Sequence, residues 1–418
     1  MCSSDLFLVD GGTLGHAECH AIADLHDRAA REGLPVAAIL HSNGARVSEH
    51  HQALAANAVM FKAITRASGA SPMVAVCTGL ALGSAAYMAA LADFCWMVEG
   101  GSWAATTSPA VVKVATGQAP SLDELGAASL HARHSGVAHF LAESEQAAIA
   151  GARAQLALLA GPSVPQAPDG PPPAQAVPQD PRLTYDMRKL IAGLVDAGSF
   201  QESHAHWARG VVTGFARMDG RPVGVIANQP KVKSGVLDAE NCRKAARFAQ
   251  AADAWAIPLL YLVDVPGIMV SVHEERRGVL DAGAVFFHAV DTDVPRISVV
   301  VRKCFGGSFV MLQARQAGGD RVMAWPGAQI GIAGPEVAFA ILHGKQALTH
   351  ADAGAFKAGM VEELGRTPTD AQSACAAGLI DAVIQPADTR AAIVAALRAF
   401  PPLLERDRPP RRRAVLQV

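Results

Sequence analysis

Two apolar periods alternate along this chain. Over Ala17 to Glu32 and again over Ala239 to Ala254, alanines and other apolar residues recur at helical spacing among charged ones, which predicts two amphipathic helices. Each follows a glycine turn and leads into a short apolar run, Val36 to Leu40 and Leu259 to Val263, as expected of strands buried on both faces. The runs "PMVAVCTG" and "PRISVVVR" repeat the theme, each passing into glycine and a further helical segment. Strand and helix in alternation predict an α/β fold with a mostly parallel sheet flanked by helices. Met73 to Ala92 carries no charge over twenty residues, the length of a membrane span. Gly79, Gly83 and Ser84 interrupt it and Asp93 closes it, so the expectation is a buried strand, a glycine turn and a buried helix, with no membrane crossing.

The pattern also repeats itself. "GGTLGHAECHAIADLHDRAAREGLPVAAIL" from Gly11 lies over "SGVLDAENCRKAARFAQAADAWAIPLLYLV" from Ser234 without a gap at an offset of 223, matching Gly12 with Gly235, Cys19 with Cys242 and Pro35 with Pro258. The same offset puts Gly44 on Gly267 and Gly83 on Gly306. A duplicated domain is the economical explanation. Between the copies, "PSVPQAPDGPPPAQAVPQDP" is too rich in proline for a helix or central strand and is expected to bury almost nothing. The division is therefore residues 1–161, a linker at 162–181, and residues 182–418.

Composition narrows the picture. The 418 residues suffice for two domains, and half are apolar. Lys and Arg total 36 against 38 Asp and Glu, so no global field draws the chain to nucleic acid or an anionic membrane. The basic run from Arg406 to Arg413 reads as a solvated tail. Seven scattered cysteines with no C-x-x-C pair fit reduced thiols in a cytoplasmic protein without structural zinc. His131, His134 and His139 cross a Ser-Gly break, and no metal site is expected there. Trp103, Trp207, Trp255 and Trp325 lie in apolar runs and are expected in a core or interface. The opening "MCSSDL" resembles a translated sequencing-adapter read, and the pattern begins abruptly at Phe7; a truncated N-terminus is expected.

Candidate chemistry sits where strands pass into helices. There, free N–H groups and the helix dipole both favour negative charge. Gly83 and Ser84 follow one such strand; Gly306, Gly307 and Ser308 follow the other. Two N–H donors about 3 Å from a carbonyl oxygen form an oxyanion hole. Helix-packing glycine is the competing reading for either turn alone, and its recurrence in both copies favours the hole. The G-x-S-x-G elbow of serine hydrolases is missing, because Val310 stands where glycine is required. Walker, G-x-G-x-x-G and H-E-x-x-H motifs are also missing.

The segments "GGTLG", "SPAVVKVATG", "DELGAASLHARHSGVAHFLAE", "YDMRKLI", "GRPVGVIANQP", "GVLD", "KAARF", "IPLLYLVDVPG", "RKCFGGSF" and "AWPGAQI" occur in an order that resembles the carboxyltransferase (β) subunits of biotin-dependent acyl-CoA carboxylases, of the propionyl- and acetyl-CoA type. The resemblance runs from about Phe7 to the C-terminus and implies two tandem crotonase-like (ClpP/crotonase) domains. It implies carboxyl transfer from carboxybiotin on a separate carrier protein to the α-carbon of a short acyl-CoA, without a metal. Gly83 and Ser84 would hold the thioester oxygen as the enolate forms. Gly307 and Ser308, with Gly306 shaping the turn, would hold the biotin ureido oxygen. Gly44, Ala45, Arg46, Lys113 and Val310 would line the substrate. For Arg46 and Lys113, contact with CoA phosphates and ordinary surface ion pairing remain alternatives.

The same resemblance implies a biotin carboxylase and a biotin carboxyl carrier partner as separate chains, and a hexamer built from dimers. It also implies roughly a hundred residues upstream, without which the first sheet would expose edges and apolar faces. Several positions depart from the family pattern. Ser84 replaces a second glycine, Ser42-Asn43-Gly44-Ala45-Arg46 replaces "SGGAR", and "GIMVS" at Gly267 to Ser271 replaces "GFLPG". Asp281 stands for an arginine, and Val310 occupies a site linked to acyl-chain choice. A decarboxylase subunit using the same holes, and a catalytically weakened scaffold, are the alternative readings.

Overall fold

The computed structural model describes residues 10–180, 182–365 and 369–400. The opening "MCSSDL" and the basic run Arg406 to Arg413 lie outside the described residues. The first sheet contains β1 (Val36–Ser42), β2 (Met73–Leu82), β3 (Phe94–Val98), β4 (Trp103–Ala105) and β5 (Phe140–Ala142). Its order is β1-β2-β3-β5, with β4 beside the end of β2, and every pairing is parallel. The second sheet contains β6 (Gln201–Ser203), β7 (Val211–Met218), β8 (Arg221–Asn228), β9 (Leu259–Val265), β10 (Arg296–Phe305), β11 (Arg321–Ala324), β12 (Gln329–Gly331) and β13 (Ala382–Val383). Its order is β13-β11-β10-β9-β8-β7-β6, with β12 beside the end of β10. Only β6, β7 and β8 pair antiparallel.

The uncharged stretch from Met73 folds as expected into β2, the Gly83 turn and the helix Ser84–Leu91. No helix among the described residues is long and apolar enough to cross a membrane.

The repeat is visible in the backbone. Leu14 bridges Ala45, and Leu237 bridges Ile268 223 residues later. The bonds agree as well: the Leu14 and Leu237 amides donate to the Gly44 and Gly267 carbonyls at 2.7 and 3.1 Å. Surroundings then separate the copies. β9 lies between β8 and β10 and is buried along its length, whereas β1 has no neighbour on its outer side among the described residues and leaves Ile39 57% exposed. The helix His16–Glu32 buries one stripe, Cys19, Ala23, His26 and Ala29, while Ala239–Ala254 is buried on nearly every side.

That second helix is enclosed because it sits where the two lobes meet. Val74, Val76 and Phe94 of the first sheet share one core with Phe215, Phe248 and Trp255 of the second lobe. Phe94 meets Trp255 edge-on with ring centroids 5.1 Å apart, and Phe215 stacks on Trp255 at 5.5 Å. The proline-rich segment also differs from expectation. Ala176 and Val177 are buried in the core on the far face of the second sheet, beside Tyr185 and Leu190. It also forms one short helix, Pro173–Ala176, where the sequence pattern excluded any, because proline is tolerated in a helix's first turn; its apolar residues cover β-strands that would otherwise face water.

Asp93 pins the lobes together. Its Oδ2 accepts from the Met73 amide and from the Trp255 indole, each at 2.8 Å. Burial pushes its carboxyl up to about 6 from the usual 3.8, against the lowering pull of those donors and of Arg247. A raised folded-state pKa means that the folded protein binds the extra proton, so this contribution is complete below 3.8 and is lost as pH rises through about 6. Asp93→Asn is expected to flatten that part of the stability profile. The comparison is denaturant midpoints at pH 4 and pH 7, with a difference of about 3 kcal/mol between wild type and variant slopes.

Candidate active site

Each lobe builds the same corner. β2 ends at Leu82, Gly83 takes φ 55° and ψ −116°, and the helix Ser84–Leu91 begins. β10 ends at Phe305, Gly306 takes φ 64° and ψ −147°, and the helix Gly307–Met311 begins. These angles lie where a Cβ clashes with the backbone, so only glycine enters them cheaply. The turn is fixed from the side by the short neighbouring strand. The Gly83 amide donates to the Ala105 carbonyl and the Gly306 amide to the Gly331 carbonyl, both at 2.9 Å. With that donor occupied, the next amides open each helix and have no intrahelical acceptor.

The residues after the two glycines differ in exposure. Gly307 is exposed, and an added Cβ would meet only Ile268 Cδ1 at 3.5 Å. Ser308 is fully buried behind it, and its hydroxyl donates to the Phe305 carbonyl at 2.5 Å. Its side chain therefore locks the turn. In the first lobe Ser84 is half-buried and corresponds to Gly307; buried Ala85 corresponds to Ser308.

Gly44 and Ala45 adjoin the first corner. Gly44 has φ 90°, and a Cβ there would lie 2.7 Å from the Leu82 carbonyl oxygen. The Arg46 guanidinium meets Glu18 and Glu49 at 2.9 Å each and Asp10 at 3.4 Å, and donates to the Thr13 carbonyl at 2.8 Å. Glu18 and Glu49 hold its pKa above the ordinary range. Arg46 thus ion-pairs with three carboxylates around the turn. Lys113 is exposed on the helix Pro109–Thr116, which follows β4 and so starts near the Gly83 mouth. Val310 stands 41% exposed on the helix that Gly307 opens.

His131 and His139 are occupied elsewhere. His131 contacts Ser135 Oγ at 2.7 Å and the Ala104 carbonyl at 2.6 Å. His139 Nδ1 takes the Cys95 amide at 3.1 Å. Trp255 and Trp325 lie in the core. The sequence pattern did not reveal β4 and β12, which supply the anchoring carbonyls. Their spacing is 226 residues, from Trp103 to Gln329, against 223 at the corners, so an insertion between Ser308 and Gln329 breaks the gapless alignment.

Two cavities lie elsewhere in the molecule. A cavity of about 260 Å³ between the lobes is bordered by His139 and His204, and one of about 440 Å³ lies beneath the proline-rich segment. Neither is lined by Gly83, Ser84, Gly306 or Gly307. Both corners instead open among exposed apolar residues. Tyr87 on the helix Ser84–Leu91 is exposed at the first, and Val310 and Ile332 are exposed at the second.

These paired corners, on duplicated parallel sheets, accompany a match over residues 2–416 to the carboxyl transferase domain. The chain belongs to the carboxyl transferase domain family. It is an enzyme of that family, and its two tandem α/β lobes have the crotonase-like fold the sequence implied. It is 36% identical over 403 residues to the propionyl-CoA carboxylase carboxyltransferase subunit of Haloferax mediterranei, covering 94% of this chain and 78% of the relative. It is 38% identical over 402 residues to the methylmalonyl-CoA decarboxylase subunit alpha of Veillonella parvula, covering 94% and 77%. Among solved structures, the transcarboxylase 12S hexamer with methylmalonyl-coenzyme A bound matches this carboxyltransferase with a TM-score of 0.87, at 36% identity over 94% of this chain and 77% of that one.

Proposed function

We propose that this carboxyltransferase moves a carboxyl group between biotin, carried on a separate carrier protein, and the α-carbon of a short acyl-CoA, propionyl- or acetyl-CoA. The observation that carries the reading is the glycine corner built twice with matching dihedrals and matching anchoring bonds. When bound, carboxybiotin supplies the carboxyl group and, once that has left, the base for the α-proton. The chain supplies fixed donors. Ser84 N–H at the Gly83 turn faces the thioester oxygen and stabilises the charge that develops on it in the enolate. Gly307 N–H, with Ser308 locking the turn from behind, faces the ureido oxygen. Glycine at 307 leaves the cradle free of a side chain, so the residues present fit a planar ureido group.

Open corners rimmed by apolar residues are suited to covering by another surface, which supports a hexamer built from dimers in which each site is shared between subunits. Covering would also exclude water from the enolate. A biotin carboxylase and a carrier protein are the proposed partners. The similarity to the Veillonella decarboxylase subunit favours a second reading in which the same holes run the transfer in reverse. Partners would then set the direction.

The test incubates the full chain with free biotin and methylmalonyl-CoA or malonyl-CoA. Transfer to biotin, with release of propionyl- or acetyl-CoA, is the expected result. Absence of transfer from either thioester by a folded, oligomeric protein would reduce the chain to a scaffold.

A further inference from the structure

One bond at the first corner separates the two copies chemically. Ser84 occupies the position that Gly307 fills in the second lobe, so the first hole carries a hydroxyl where the other carries none. That hydroxyl donates to Asn57 Oδ1 at 2.6 Å. Asn57 belongs to the helix His50–Ala67 and is only 6% exposed. Its carboxamide orientation is determined by chemistry: Nδ2 lies 2.8 Å from the Ala53 carbonyl, which can only accept, so Oδ1 faces the hydroxyl. Because Asn57 is buried, Ser84 Oγ is directed inward, away from the open side of the corner.

Without that acceptor, a hydroxyl at the start of a helix has nearby alternatives. Turned to the open side, the hydroxyl would stand in front of the Ser84 N–H, the donor the hole needs, and could itself bond a substrate oxygen out of place. A freed hydroxyl would therefore compete with the substrate oxygen. The second lobe avoids the conflict by having glycine, with only Ile268 near the missing Cβ.

We propose that Asn57 is a positioning residue of the first hole, holding the Ser84 hydroxyl against the helix His50–Ala67 so that the Ser84 N–H stays available to the acyl thioester. This rests on the function proposed above. Asn57 touches no substrate and acts only through Ser84.

The test is a double-mutant cycle of Asn57→Ala and Ser84→Gly, read as kcat and KM for carboxyl transfer from methylmalonyl-CoA to free biotin. Asn57→Leu, close in size but without an acceptor, serves as a second variant that keeps the helix packed. In the otherwise native chain, losing Asn57 is expected to lower kcat roughly tenfold, the scale of one net hydrogen bond, with KM within about twofold. Added to Ser84→Gly, it is expected to change kcat less than about twofold, because no hydroxyl remains to restrain. Equal losses in both backgrounds would mark Asn57 as a packing residue and overturn the proposal, as would no loss in either.

A crystal structure of Asn57→Leu reads the same device without turnover: Ser84 Oγ should leave its inward position. If the wild type transfers no carboxyl group while Oγ moves in the variant, the functional reading fails and the restraint stands. If the wild type turns over and Oγ stays inward in the variant, the restraint fails alone.

Discussion

Gly306→Ala is expected to lower carboxyl transfer by roughly 100-fold while leaving the protein folded. At φ 64° and ψ −147°, a Cβ would be strained wherever the side chain could go, and here it would also stand 3.3 Å from the Ile332 carbonyl oxygen. Strain of this kind costs about 1–3 kcal/mol and is relieved by turning the peptide plane. The plane that turns carries the Gly307 N–H, the donor assigned to the ureido oxygen. Losing one such donor elsewhere costs on the order of 10²–10³ in kcat, which sets the expected size. Gly83→Ala tests the other corner. An added Cβ there meets nothing closer than Gly44 Cα at 3.7 Å, so the strain of φ 55° acts without a clash and a smaller loss is expected. Steady-state kinetics varying biotin and acyl-CoA separately check both, with thermal unfolding as the control. Full turnover by a folded Gly306→Ala protein would remove backbone stabilisation at that corner from the mechanism.

Much of this geometry could be read from the sequence because it depends on short-range rules. A strand buried on both faces must be continuously apolar, as in "PMVAVCTG", and a sharp strand-to-helix turn must place glycine at the strained position, as at Gly83 and Gly306. The constant offset then related the two corners before any coordinate was known. What could not be read depends on contacts distant along the chain. Arg46 gains three carboxylates from a preceding turn, the helix His16–Glu32 and the segment after it, and no motif marks such a hub. The Asn57–Ser84 bond joins residues 27 apart on different helices, and no local pattern announces it. The proline-rich segment was misread for a similar reason. Proline content disfavours long regular elements, but it leaves room for the one-turn helix Pro173–Ala176 and says nothing of whether a sheet face nearby needs covering, and Ala176 and Val177 cover one.

Lys244→Met is expected to cost about 3–5 kcal/mol of stability, more than any surface charge could. Lys244 lies on the helix Ala239–Ala254 with no exposure, and its ammonium donates to the carbonyls of Val211, His204 and Trp207 at 2.6, 2.9 and 3.2 Å, with Ala208 at 3.5 Å. Two of those residues, His204 and Ala208, sit at φ 55° and 44°, in the left-handed region that non-glycine residues avoid. One amine, its pKa pushed down to about 7 by burial, thus gathers carbonyls that the strained loop turns inward, and methionine fills the space while leaving them unpaired. The damage should reach the lobe junction. The His204 amide donates to the His139 carbonyl at 2.7 Å, and Trp207 packs so closely on Gly136 that a Cβ there would be 2.8 Å from its ring. Denaturant titration measures the stability, and hydrogen exchange at the His204 amide reports the junction directly. Loss of stability with His204 still protected would confine Lys244 to its own loop; loss of both would make its ammonium part of what docks one lobe on the other.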